Sequence, residues 1–252
     1  MRKDISDIIS QWQYDPEANV RTVEGPDGQD VLQVRVDQGA FQGILQLNLD
    51  GRPDGDRPHG REYALDHYRS LLREEGESGF SLGPEACEEL FDEGTRIYGR
   101  YVFLLQLKDY ARVVRDTERN MRLFRFVNSY AERGEDRDNL ERWWPYILRI
   151  HATAKARLAS AEGDFDAALQ AVELARQKIE ALKPVEAEEF FVERERAGEA
   201  LDELERELAE KRPRSPAERL EELLQQAIDR EDFEEAARLR DRIRALRDPS
   251  EE

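Results

Sequence analysis

Ser81 lies in GFSLG, residues 79 to 83, the spacing of a nucleophile elbow, where a serine on a strained strand-to-helix turn performs acyl transfer. That chemistry needs a strand entering the turn at the top of a parallel sheet. The residues before this turn are LLREEGES, the polar end of a helix, so Ser81 is expected in a loop that leads into the next helix. His59, His67 and His151 have no histidine or cysteine at ligand or triad spacing, which points to surface or packing roles. With 57 Asp and Glu residues, no pair stands out as a general acid and base. Cys87 is the only cysteine, which excludes an internal disulfide and a cysteine-rich zinc site and suits a small buried hydrophobe. The expectation is a chain with no catalytic centre, no cofactor and no metal.

Two groups suit binding chemistry instead. Arg112, Arg115, Arg119, Arg122 and Arg125 recur at three- and four-residue steps, which lines them along one helix face. Between residues 108 and 157 there are 12 basic and 8 acidic residues, interleaved with Phe124, Phe126, Tyr130, Trp143, Trp144 and Tyr146. Such a stripe suits an acidic peptide or a single nucleic-acid strand, held by charge and stacking. The bland alternative, that the arginines pair with acidic neighbouring helices while the aromatics fill a core, carries more weight. Arg52, Arg57, His59 and Arg61 cluster in a glycine-rich loop that would suit an anion, although a fixed connector is the simpler expectation.

The elements that position these residues follow from periodicity. Ile5, Ile8, Ile9 and Trp12 recur at helical spacing and predict a short helix over 3 to 13. Leu32, Val34 and Val36, then Leu45, Leu47 and Leu49, alternate with polar residues as half-buried strands do, and Asp37-Gln38-Gly39 supports a hairpin between them. A weaker strand from Val20 to Glu24, followed by the turn Gly25-Pro26-Asp27-Gly28, completes a three-stranded antiparallel meander. The first helix and the helix after the sheet are expected to cover it. Glycine at 51, 55 and 60 and proline at 53 and 58 make residues 50 to 60 a rigid irregular loop.

Helices are expected over 63–75, 84–106, 110–133, 139–162, 165–182 and 186–211, with KRPRSPA at 211–217 as a linker. The fold class is mainly α with a small N-terminal α+β unit. Its expected parts are 1–60, a helical-hairpin body over 61–211, and a linker with a final hairpin over 212–252.

LKDYARVV at 107, EGDFDAAL at 162 and REDFEEAA at 230 share an aspartate, an aromatic and then alanine at a helix start, the expected turn of a helical hairpin whose aromatic plugs the elbow. The stretch at 152–182 resembles a tetratricopeptide-type repeat. The aromatics are 55 and 68 residues apart, far from that family's period of about 34, so irregular hairpins are expected in place of a solenoid.

Residues 215–247, SPAERLEELLQQAIDREDFEEAARLRDRIRALR, resemble the UVR motif found in the UvrB and UvrC repair proteins and in partners of bacterial protein-quality-control machines. The N-terminal VRVD and LDGRPDG segments have a looser likeness to bacterial proteins that carry the same motif. Helical spacing places Leu220, Leu223, Leu224, Ala227 and Ile228 on one face of the first helix, and Phe233, Ala236, Ala237, Ile243 and Leu246 on one side of the second. Ser215 with Glu218 and Asp232 with Glu235 have capping-box spacing. The resemblance implies a protein-interaction module, with its signature at Phe233, Ala236, Ala237, Leu239, Arg240, Asp241 and Ile243, and Leu224 and Ile228 beside them. The chain lacks a GxxxxGK phosphate loop, a nuclease domain of the UvrC kind and zinc-binding cysteine pairs, so incision chemistry is not expected.

Two short helices bury little area, so their apolar faces should seek a protein partner or a second copy. A formal charge of −18 disfavours nonspecific nucleic-acid binding, which leaves the arginine stripe as the route for a nucleic-acid alternative. No run approaches the ~18 apolar residues of a membrane span, and the start lacks a secretory core, so the cytoplasm is the expected location.

Overall fold

The computed structural model describes residues 5–26, 28–213 and 216–247, apart from the side chains of 216, 217 and 245–247. Asp27 of the first turn, Ser215 of the expected capping pair and the Leu246 side chain lie outside the described residues. The chain divides into two compact units, residues 1–206 and 207–252. The regions expected at 1–60 and 61–211 lie together in the first unit as far as residue 206, because sheet and helices share one core.

Helix α1 (Ser6–Gln11) is shorter than the expected 3–13. Strands β1 (Val20–Glu24), β2 (Asp30–Gln38) and β3 (Phe41–Asn48) form an antiparallel sheet in the order β1-β2-β3, the expected meander. Gln38 pairs with Phe41, so the β2–β3 link is the two residues Gly39-Ala40, with Gly39 at φ +58° as a tight hairpin requires. Val34 pairs with Leu45 and Leu32 with Leu47, which aligns the apolar positions of both strands on one face. Leu32, Val34 and Leu49 are buried, whereas Leu45 stays 49% exposed.

The helices that follow are α2 (Ala64–Glu75), α3 (Pro84–Gln106), α4 (Tyr110–Tyr130), α5 (Gly134–Glu141), α6 (Trp144–Ala161), α7 (Phe165–Glu180) and α8 (Glu188–Lys211). The sheet packs on Ile97, Tyr101 and Leu104 of α3, Val113 of α4, and Ile150 and Ala154 of α6. Cover therefore comes mainly from these three helices and not, as expected, from α1 and α2. Trp12, just past α1, lies on the polar side, where the Arg21 guanidinium stacks 4.0 Å from its ring.

The helix expected over 139–162 is two helices. Pro145 at the start of α6 has no amide to donate and its ring crowds the carbonyl four residues back, so α5 ends at Glu141. Helix α4 stops at Tyr130, short of the expected residue 133, because Ala131 turns extended and pairs with Leu82. Small residues let α6 and α7 approach closely, with Ala152, Ala154, Ala156, Ala168 and Ala175 all buried.

The three segments with the shared pattern make the same turn. Lys108, Gly163 and Glu231 each have positive φ, at 58°, 83° and 61°. The aspartate after each donates its amide to the carbonyl five residues back: Asp109 to Leu104 at 3.0 Å, Asp164 to Ala159 at 2.9 Å and Asp232 to Ala227 at 2.8 Å. This is the closing bond of a Schellman motif. The same aspartates then cap the next helix, as Oδ1 accepts from the amides of Arg112 at 3.2 Å, Ala167 at 2.9 Å and Glu235 at 3.1 Å. One local device ends three helices and starts three more.

Candidate interaction site

Unit 207–252 carries helices α9 (Pro216–Asp229) and α10 (Phe233–Arg247), joined by the turn just described. Leu220, Ala227, Ala236, Leu239 and Ile243 are buried between them, with Leu224 partly buried. At 100° per residue, Leu220, Leu224 and Ala227 fall on one narrow line of α9, while Leu223 and Ile228 flank it on opposite sides. Leu223 is 48% exposed, Ile228 44% and Phe233 71%. The apolar band of the hairpin is thus wider than one partner helix covers.

Phe233 does not plug the elbow, in contrast to Tyr110 and Phe165, which are half-buried in the equivalent turns. Its ring stands outside the seam at the first residue of α10, and exposed Ala237 lies one turn further on the same side. Ala236, Leu239 and Ile243 hold the hairpin together. Arg240 and Asp241 are exposed and paired with each other at 3.0 Å, an arrangement worth little to stability. The signature residues therefore separate into an internal seam and an outward set of Ile228, Phe233, Ala237, Arg240 and Asp241. Periodicity shows the band but not this split, which depends on how the two helices are rotated.

The arginine stripe on α4 also separates. Arg112 donates to Asp109 at 2.8 Å and to Asp50 at 3.4 Å. Arg115 pairs with Asp50 and Asp116 and donates to the Leu49 carbonyl at 2.7 Å. Arg119 pairs with Asp66 at 3.3 Å and stacks over Tyr63. Arg122 and Arg125 are exposed, the latter 5.5 Å above the Trp144 ring. The first three hold the 48–66 region to the helices, and the Arg112 hydrogen bond, with Arg115 adding, keeps the Asp50 carboxyl below its usual range.

Two buried groups complete that clasp. Arg100, fully buried, makes a two-pronged pair with Asp116 at 2.7 and 2.9 Å and donates to the carbonyls of Asn48 and Gly51 at 2.9 and 2.7 Å. Glu93, also fully buried, accepts from the amides of Ala64 and Leu65 at 2.6 and 3.3 Å, and so caps α2 from a distant helix. Burial pushes the Glu93 carboxyl up, against the pull of those two amides. Arg52 is buried against Asp54 at 2.9 Å and Glu93 at 3.5 Å, so the Gly/Pro loop is held as a connector. Nothing in the spacing of Arg100 and Glu93 foretold their part in the clasp, because their partners are 16 to 52 positions away.

The remaining candidates occupy structural positions. Ser81 is in a loop before α3, its hydroxyl donating to Glu132 at 2.7 Å, with no strand of a parallel sheet entering it. Cys87 is buried, and burial pushes its thiol up to about 11. His59 and His67 stack at 3.9 Å, and His59 bonds Glu89 at 3.1 Å, whereas His151 lies beside Thr117 at 2.9 Å in another part of the unit. Among the described residues, no group of His, Cys, Asp and Glu could hold a metal ion, and no helix is long and apolar enough to cross a membrane.

No curated protein and no solved structure matches the chain. Residues 215–248 carry the UVR motif, described as the UvrB/uvrC motif, and within it Pro216–Asp229 and Phe233–Arg247 form the α9–α10 hairpin.

Proposed function

We propose that the protein is a noncatalytic adaptor or scaffold that captures a protein partner, or a second copy of itself, through the outward face of the α9–α10 hairpin. The observation that carries this reading is Phe233, a large aromatic left 71% exposed at the elbow of a motif associated with protein interaction and repair. Leu223 and Ile228 widen the apolar surface on either side of the seam. Burying one such side chain in a complex is worth about 1.5–3 kcal/mol, so two or three support a specific association. The pairing of Arg112, Arg115 and Arg119 with internal acids weighs against a nucleic-acid role for the stripe. The single buried thiol and the acidic surface suit the cytoplasm.

Affinity capture from the native cell, with the full chain and with a chain ending at residue 212, tests the proposal. A partner, or a second copy detected by molar mass, retained by the full chain and lost by the shortened one is expected. Equal retention by both removes the hairpin from the mechanism.

A further inference from the structure

Strand β3 is an edge of the sheet. Gln38 and Phe41 close the two-residue hairpin, so Phe41, Gly43, Leu45 and Leu47 bond to β2, while the backbone amides and carbonyls of Gln42, Ile44 and Gln46 point away from it. The Asn48 amide, on the same outer rim, donates to the Pro53 carbonyl at 2.8 Å, which agrees with this parity and closes the rim at that end. Among the described residues no hydrogen bond reaches the backbone of Gln42, Ile44 or Gln46. An open rim of this kind is a template for one more strand. The side chains extend the same invitation. Leu47 packs in the core, but Leu45 and Phe41, on the same face, stay 49% and 60% exposed, and the Phe41 ring lies 3.0 Å from where a Cβ at Gly43 would stand.

Charge narrows the choice of occupant. Proteins guard exposed edges with charged residues, and the other edge, β1, carries Arg21 and Glu24. In a chain that is 38% charged, the 12 residues from Gln38 to Leu49 carry no charge at all. Such a strand offers a foreign segment no ion pair to select it, but it can lie against itself with no like charges opposed. Register supports the same occupant. Antiparallel pairing about Gly43 sets Gln42 opposite Ile44 of the second copy, and Ile44 opposite its Gln42, so the free backbone groups of both residues meet in two reciprocal pairs. On the other parity Phe41 falls opposite Leu45 of the second copy, and each exposed apolar side chain covers the other. This pairing ends before Asn48, whose amide is already taken. We propose that β3 pairs antiparallel with β3 of a second copy about Gly43, joining two three-stranded sheets into one of six strands. The contact lies in the first unit and is independent of the hairpin reading.

The test is sedimentation equilibrium of the full chain from about 5 to about 500 µM, a range that spans the weak association expected of a small interface, with amide exchange followed residue by residue. A monomer–dimer equilibrium is expected, in which the Gln42 and Ile44 amides exchange at least tenfold more slowly at the upper concentration. Ile44→Pro removes an amide that the β2–β3 ladder does not use, and Leu45→Lys sets a charge opposite Phe41 of the second copy. Each is expected to weaken the dimer at least tenfold while keeping the circular dichroism spectrum of the parent chain. Phe233→Asp, which silences self-association through the hairpin, is expected to leave this dimer intact. A monomer throughout the range overturns the proposal and leaves the rim to an extended segment of another protein. A dimer that Phe233→Asp abolishes, that survives both Ile44→Pro and Leu45→Lys, or that leaves exchange at Gln42 and Ile44 unchanged overturns it as well.

Discussion

At the residue scale, stability in the first unit depends on a few buried charges that the sequence alone does not reveal. Arg100 and Asp116 are 0% and 1% exposed, so removing one strands the other away from water. Asp116→Ala should cost about 3–5 kcal/mol in urea unfolding, and a loss below about 1 kcal/mol would show the pair to be dispensable. His151 is the second case. Burial, with Lys155 and Lys178 adding against Glu118, pushes its imidazole down to about 4 from the usual 6.5. The folded state therefore binds fewer protons than the unfolded one between those values. Its contribution is complete above about pH 6.5 and is lost as the pH falls toward 4, at up to about 1.4 kcal/mol per pH unit. Denaturation at pH 7.5 and pH 5 should show a smaller loss for His151→Gln than for the parent chain, and equal losses would contradict this account. The lone cysteine was legible as a buried hydrophobe from composition. The Arg100 clasp was not, because pairing at a distance depends on helix packing that no spacing rule encodes.

At the element scale, alternation of apolar residues disclosed all three strands, since a sheet with one covered face imposes a period of two. The helix break at 142–143 was also written in the chain, in Pro145, although the apolar period through Trp143 and Trp144 masks it. The repeated turn was visible as a pattern of aspartate and aromatic, but its positive-φ residue was not, because two of the three positions hold Lys108 and Glu231 where glycine is usual. Glu231→Gly should accordingly stabilise the α9–α10 hairpin by up to about 1 kcal/mol, and Asp232→Ala should destabilise it by about 1 kcal/mol through loss of the cap to Glu235. Helicity of the C-terminal unit followed during thermal unfolding checks both signs. A destabilised Glu231→Gly would mean that the turn does not require this conformation.

At the scale of the whole molecule, residues 1–206 and 207–252 differ in how they bury apolar surface. The first has a core shared by sheet and helices, whereas the α9–α10 hairpin of the second has one seam of five buried residues and an apolar band that extends beyond it. A seam of that size is marginal alone, which gives the hairpin a reason to gain from association. Sequence reading located this hairpin through the motif. It misplaced the Phe233 ring, which stays exposed where Tyr110 and Phe165 are half-buried at the equivalent turns. The most direct measurement compares Phe233→Asp with Leu239→Ala in partner capture by the full chain, with far-ultraviolet circular dichroism as the folding readout. Phe233→Asp should abolish capture with helicity unchanged, while Leu239→Ala, in the buried seam, should lose helicity and stability together, by about 2–5 kcal/mol. Undiminished capture by Phe233→Asp would contradict the assignment of this face as the docking surface.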